Sequence, residues 1–112
     1  MLAKANRITS ADDYRALVRR GAKVAGAHTV SYIRPRDEGE SARFGFIVSK
    51  KVGKAVDRNL VRRRLKAACR GIVDDGTIGF DVVVRALPSA ADAGWDALEA
   101  DMARVVRKAR SR

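Results

Sequence analysis

The chain has 112 residues, 46% of them apolar, which is enough for one domain with a modest core. It carries 24 Lys or Arg against 13 Asp or Glu, a net charge of +11 that makes nucleic acid the leading partner class, with an anionic membrane surface as the competitor. No apolar window of about 18 residues could span a bilayer, Met1–Arg7 lacks the apolar run of a secretory signal, and the single cysteine, Cys69, closes no internal disulfide and fits a reducing, cytoplasmic setting.

Ser10 can cap a helix, with Asp13 placed to close a capping box. Tyr14, Leu17 and Val18 follow at helical spacing, and Gly21 supplies the stop, so a first helix is predicted over Ala11–Arg20. Arg15, Arg19 and Arg20 lie off its apolar face or near its C-terminus, where positive charge is favoured. The segment from Val24 to Arg34 is interrupted by Gly26, and its alternating, β-branched part His28–Ile33 reads as a strand. Pro35–Ala42 is polar, contains Gly39 and reads as a hairpin loop. Arg43–Ser49 is the next strand, with Phe44, Phe46 and Val48 on one side and Gly45, Ile47 and Ser49 on the other. Apolar residues on both sides predict a central strand.

A helix is then predicted from near Asp57 to near Gly71. At about 100° per residue, Val61, Leu65, Ala68, Cys69 and Ile72 fall in one arc, and Arg62, Arg63, Lys66 and Arg70 in a neighbouring one, with Asn59 among them and Arg58 at the edge. Leu60 belongs to neither. Asp74–Gly79 is a loop, Phe80–Ala86 a strand ended by Pro88, and Gly94–Ala109 a last helix with Trp95, Leu98, Met102, Val105, Val106 and Ala109 on one face. Asp96, Glu99 and Asp101 near its start and Arg104, Arg107 and Lys108 near its end follow the favourable dipole order. The whole is an α+β fold of order α-β-β-(β)-α-β-α, the bracketed strand being a short extra one near Val24. One small sheet carries helices on its faces, and residues 1–112 form a single domain.

The charge is unevenly placed. Ser49–Arg70 holds nine Lys or Arg and one acid, whereas residues 71–112 hold six bases and seven acids. Ligands for a metal or a nucleophilic centre are scarce. His28 is the sole histidine and reads as structural or surface, Cys69 sits in an apolar helical pattern, and no Cys/His cluster has zinc spacing. Gly53-Lys54 lacks the flanking spacing of a P-loop. No catalytic or metal-binding residue is assigned.

The basic turn and helix suit phosphate, through bidentate arginines, point-charge lysines and a helix N-terminus near Arg58-Asn59. Asn59 could bond a phosphate, a sugar 2′-hydroxyl or a buried backbone group. Any single charge could equally be a solvated helix face, but the cluster separates cleanly from the apolar arc. Tyr14, Tyr32, Phe44 and Phe46 lie on the first helix and the strands, where aromatics either stack unpaired bases or simply fill the core.

The run from Gly45 through Ser49-Lys50-Lys51-Val52-Gly53-Lys54-Ala55-Val56-Asp57-Arg58-Asn59 to Arg63 resembles the signature of the bacterial ribonuclease P protein subunit. Asn6-Arg7 before the first helix, and Phe80–Arg85, Pro88 and the last helix, are similar to the family's two ends. The resemblance implies a protein cofactor of a ribonucleoprotein endonuclease that removes the 5′ leader from precursor tRNA. Hydrolysis would be done by the RNA subunit with magnesium, and no cofactor would be bound by the protein itself.

It also implies a left-handed β-α-β crossover around the motif helix, where general connection rules predict a right-handed one. Lys50, Lys51, Lys54, Arg58, Asn59, Arg62, Arg63 and, by its place in the basic arc, Lys66 would face the catalytic RNA. Tyr14 and Tyr32, with Phe44 and Phe46, would line a cleft for the single-stranded leader. Three positions depart from the family pattern: Leu60 replaces a motif arginine, Val18 a second helix aromatic and Thr29 a cleft phenylalanine. The alternative is a non-catalytic ribosomal or RNA-chaperone protein of similar fold. A duplex-DNA binder ranks below both, because no helix-turn-helix spacing is present.

Overall fold

The computed structural model describes residues 2–37, 40–74, 76 and 79–110. Helix α1 spans Ala11–Arg20, β1 Ala22–Ala25, β2 Thr29–Pro35 and β3 Arg43–Ile47. Helix α2 spans Ala55–Asp74, β4 Phe80–Ala86 and α3 Trp95–Arg110, and short 3-10 turns cover Lys4–Asn6, Lys50–Val52 and Pro88–Asp92. Of the expected loops, Glu38 and Gly39 in one and Asp75, Thr77 and Ile78 in the other lie outside the described residues.

The strands form one mixed sheet of order β1-β2-β4-β3. β1 pairs antiparallel with β2 and β2 with β4, while β3 pairs parallel with β4. The short strand expected near Val24 is β1, and it forms the hairpin with β2. Two expectations fail here. β4 inserts between β2 and β3, so residues 35–42 do not close a hairpin, and β3 is an edge strand rather than a central one. Its two-sided apolarity has another cause. Phe44 faces the α2–α3 core, Ile47 packs against the α1 cluster, and the outer edge is partly covered by the N-terminal segment, where the Ile8 N–H donates to the Phe44 carbonyl at 2.9 Å.

Alternation along the strands sorts two cores. On one face Ile33, Phe44, Val82 and Val84 meet Val61, Leu65, Cys69, Leu98, Met102 and Val105 from α2 and α3. On the other, Ile8, Leu17, Val30, Tyr32 and Val83 form a smaller cluster under α1, flanked by Tyr14 and Ile47. The apolar arc predicted for α2 is buried as expected. Cys69 is fully buried beside the Met102 sulfur at 3.8 Å, and burial pushes its thiol pKa up, away from thiolate chemistry.

Helix bounds differ from expectation in instructive ways. α2 begins at Ala55, two residues early, and the Arg58 N–H already donates to the Lys54 carbonyl at 2.9 Å. The free N–H groups therefore belong to residues 55–57 and not to Arg58-Asn59. At its other end α2 runs past Gly71, because Ile72 and Val73 pack on the core and repay a helical glycine, which costs about 1 kcal/mol. On α3, Trp95 is 39% exposed, although helical spacing sets it on the side of Met102, because it is the first residue of the helix.

Candidate nucleic-acid interface

The basic run takes its shape from three local devices. Ser49 Oγ accepts from the Lys51 N–H at 3.3 Å and caps the turn Lys50–Val52, whose Val52 is buried while Lys50 and Lys51 stand exposed. Gly53 follows at φ 152°, a backbone that side chains rarely adopt, and a Cβ there would come within 2.9 Å of the Asp57 carboxylate. The chain thereby turns into α2 with Lys54 exposed at the helix start. Along α2 the apolar arc holds the helix to the sheet and leaves Asn59 and Arg63 exposed, with Arg58, Arg62 and Lys66 half-buried. Leu60 is also half-buried but belongs to neither core cluster.

Arg62 and Lys66 turn toward the β3 edge. With Arg7, Tyr14, Phe44 and Phe46 they line a groove of about 260 Å³. Arg62 Nη2 lies 3.5 Å from the Val48 carbonyl, which fixes the guanidinium at the groove wall. The groove thus joins cations of α2 to aromatic residues of α1 and β3, and adds Arg7, which the sequence reading left unassigned. A parallel bridge of Arg7 to Phe44 holds that residue in place, a non-local contact with no sequence signal.

Tyr14 is set by close packing. Its hydroxyl accepts from the Phe46 N–H at 3.1 Å, and its ring crosses Gly45 so closely that a Cβ there would sit 2.6 Å from Cζ. Glycine at position 45 is what lets α1 lay an aromatic on β3. Tyr14 also borders a second cleft of about 690 Å³ on the far side of α1, with Val18, Arg15, Arg19 and Ile47. Val18 is 38% exposed there.

Of the other predicted aromatics, Phe44 and Phe46 line this groove and Tyr32 does not. Phe44 is 3% and Tyr32 6% exposed. Phe44 belongs to the α2–α3 core, and Phe46 packs against its edge. Tyr32 lies two strands from Gly45, opposite Val83 and under α1, with the Arg85 guanidinium 6.0 Å from its ring centroid. Thr29 faces the opposite side of the sheet from Tyr32, where its hydroxyl donates to Asp101 at 3.0 Å. His28 Nδ1 is 2.9 Å from the Ser89 hydroxyl.

Two carboxylates have roles that the sequence reading missed. Asp81 is 1% exposed, and the register sets Arg34 and Arg43 directly opposite it on the neighbouring strands. Arg43 donates twice and Arg34 once, all at 2.8 Å, with Arg36 at 3.5 Å. Burial alone would raise the Asp81 pKa, but these charge-assisted bonds outweigh it and hold the carboxyl below its ordinary value. The same Asp81 bond raises the Arg43 pKa.

Asp13 is shared in this way too. Its N–H donates to Ser10 Oγ, so Ser10 caps α1 as expected, but the carboxylate expected to close a capping box reaches instead toward Arg34 and Arg43 at 3.5 and 3.9 Å. Asp101, assigned to the α3 dipole, is instead buried. It accepts from the Ala27 and His28 N–H groups at 3.0 and 2.8 Å as well as from Thr29, and so ties α3 to the β1–β2 turn. An acid just inside the start of a β-branched strand, and one at a core-facing helix position, were the available signals.

Among the described residues no three His, Cys, Asp or Glu side chains gather as a metal site, and no helix is long and apolar enough to cross a membrane.

Known proteins resemble this chain in sequence and fold. The family model described as Ribonuclease P matches residues 2–110. The ribonuclease P protein component of Clavibacter michiganensis is 48% identical over 110 residues, covering 97% of this chain and 96% of that one. The component of Pseudarthrobacter chlorophenolicus is 45% identical over 101 residues, covering 90% and 74%. Among solved structures, the Staphylococcus aureus RNase P protein superposes with a TM-score of 0.81 at 28% identity, over 95% of this chain and 96% of that one. The Thermotoga maritima RNase P protein, at 20% identity, shares the fold with a TM-score of 0.78 over 91% and 96%. By family match, identity along nearly its whole length and fold, this chain belongs to the ribonuclease P protein family.

Proposed function

We propose that the chain is the protein subunit of a ribonucleoprotein endonuclease, ribonuclease P, that removes the 5′ leader from precursor tRNA, the RNA subunit carrying out hydrolysis with magnesium. The face formed by the exposed Lys50, Lys51, Lys54, Asn59 and Arg63 and the half-buried Arg58, Arg62 and Lys66 docks the catalytic RNA. Each phosphate it neutralises releases condensed counterions, so binding weakens steeply with salt. The groove at the β3 edge takes the unpaired leader. Its backbone runs past Arg7 and Lys66, and a base rests against Tyr14 and the rim of Phe46. Phe44 serves as the groove's floor, while Tyr32, two strands away under α1, lies outside it.

The observation that supports this reading is the groove itself, whose lining brings Arg7, Arg62 and Lys66 beside Tyr14 and Phe46. Magnesium belongs to the RNA-containing holoenzyme and needs no ligand from this chain. The protein works in the cytoplasm, without DNA or membrane as partner.

Reconstitution tests the assignment. Protein alone should leave precursor tRNA uncut, and adding it to the matching catalytic RNA should lower the magnesium needed for cleavage. Efficient cleavage without RNA would overturn the reading. Recovery of ribosomal RNA, in place of one dominant structured RNA, on pull-down from cells would favour the ribosomal or chaperone alternative. For the groove, Tyr14→Ala should weaken precursor binding more than mature tRNA binding, and equal losses would remove Tyr14 from the leader site.

A further inference from the structure

The C-terminal third is close to neutral by count, yet the fold sorts its charges. Asp81 and Asp101 turn inward and are buried, while Asp96 and Glu99 stay near the start of α3. Arg104, Arg107 and Lys108 line one wall of a groove of about 430 Å³, and Lys23, Val24 and Ala25 of β1 line the other. Lys23, Arg104 and Arg107 have no ion pair among the described residues. Asp101, three residues before Arg104 and so at neutralising spacing on a helix, is fully engaged by Ala27, His28 and Thr29.

Like charges three residues apart destabilise a helix slightly, so Arg104 and Arg107, which no ion pair among the described residues involves, favour a bound anion. β1 is also an edge strand, with backbone groups facing the groove side that no other strand pairs among the described residues.

We infer that this β1–α3 groove is a second RNA-backbone site, which holds a paired stem of the same RNA subunit. The inference rests on the function proposed above. Two features choose a stem over an unpaired strand. The groove has no aromatic wall on which a base could stack, and closely set cations suit the phosphates of a helix, which are read by shape and charge. β1 and β3 are the opposite edges of the sheet, three strand spacings or about 14 Å apart. The protein therefore bridges two RNA segments, one at the motif face and one here, and helps fix their separation.

The test uses the full chain with the partner RNA. Arg104→Gln/Arg107→Gln is compared with Arg62→Gln/Arg63→Gln by salt-dependent binding and hydroxyl-radical footprinting. The groove variant should bind several-fold more weakly, with a salt slope shallower by about two. It should also lose protection over a stem that the motif variant still protects. Its ratio of precursor to mature tRNA affinity in the holoenzyme should not change. Its thermal midpoint, read alongside, should match the parent, since both side chains are exposed.

An unchanged slope and footprint in the groove variant, with a loss in the motif variant, would overturn the second site and leave the proposed function standing. A shallower slope with an unchanged footprint would also overturn it, because only the general field would then be at work. If neither variant alters binding, the proposed docking face falls as well.

Discussion

Two arginine clusters in this chain look alike in sequence and behave in opposite ways. Arg34, Arg36 and Arg43 come from two strands and the loop start between them, and they converge on the buried Asp81 with Asp13 and Glu40 nearby. Their charge is spent inside the fold. The α2 arginines Arg58, Arg62 and Arg63 share a helix with an apolar arc, and no ion pair among the described residues involves them. Their charge is left facing outward. A count of positive residues would weigh both clusters equally, whereas the position of one carboxylate decides which is scaffold and which is interface.

The sharpest way to break the comparison is Asp81→Asn. It leaves two or three arginines around a neutral amide, and stability should fall by about 3 kcal/mol, near the lower end for breaking a buried pair because the arginines are partly solvated. Urea unfolding would show it, and a loss under about 1 kcal/mol would mean that the arginines are scaffold only in appearance. The pH profile sharpens the same point. Because the folded Asp81 pKa is depressed, its contribution is complete above the ordinary carboxylate value of about 4 and is lost as pH falls through the lower folded value. The parent should lose stability on acidification over that range, and Asp81→Asn should lack this part of the decline.

Gly45→Ala comes next. The new Cβ meets the Tyr14 ring, and overpacking of this kind costs about 1–3 kcal/mol. Displacement of Tyr14 should also narrow the difference between precursor and mature tRNA binding, and calorimetry with a binding assay would separate the two effects.

The α2 cluster should respond in the opposite sense to the Asp81 cluster. Arg62→Gln/Arg63→Gln should change stability by less than about 1 kcal/mol, weaken RNA binding about tenfold and make its salt slope shallower by about two. A loss of stability with an unchanged salt slope would reverse the roles of the two clusters. The smallest effect is expected from Leu60→Arg, which restores the absent motif charge. Affinity should rise by only a few-fold and the slope steepen by about one, as a salt titration would report.

Much of this was legible before any coordinates. The bounds of α1 and β4, the buried arc of α2 and the basic arc beside it follow from helical and strand periods, which are local properties of the chain. The motif residues were named for the same reason. The family resemblance also marks Tyr14 as a groove residue, but the close approach of its ring to Gly45 joins residues 31 positions apart and leaves no local signal. Tyr32 and Phe44 illustrate the limit: an aromatic on a strand can face a ligand or a helix, and alternation alone does not say which face is covered.

The sequence by itself determined which segments form helix and strand, that α2 carries separate apolar and cationic arcs, and that the strand–turn–helix run from Gly45 to Arg63 has the family's pattern. Those features depend on contacts within a few residues, so spacing and turn chemistry encode them. Only the tertiary structure decided that β4 inserts between β2 and β3, that Arg34, Asp81 and Arg43 fall in one row, and that Arg7 joins Lys66 across the β3 edge. It also gathered the bases of a neutral C-terminal third into a cationic groove, with Asp101 of the same helix buried against the β1–β2 turn. Register and burial are set by residues far apart in the chain, and the sign of a surface depends on which charges the fold turns inward.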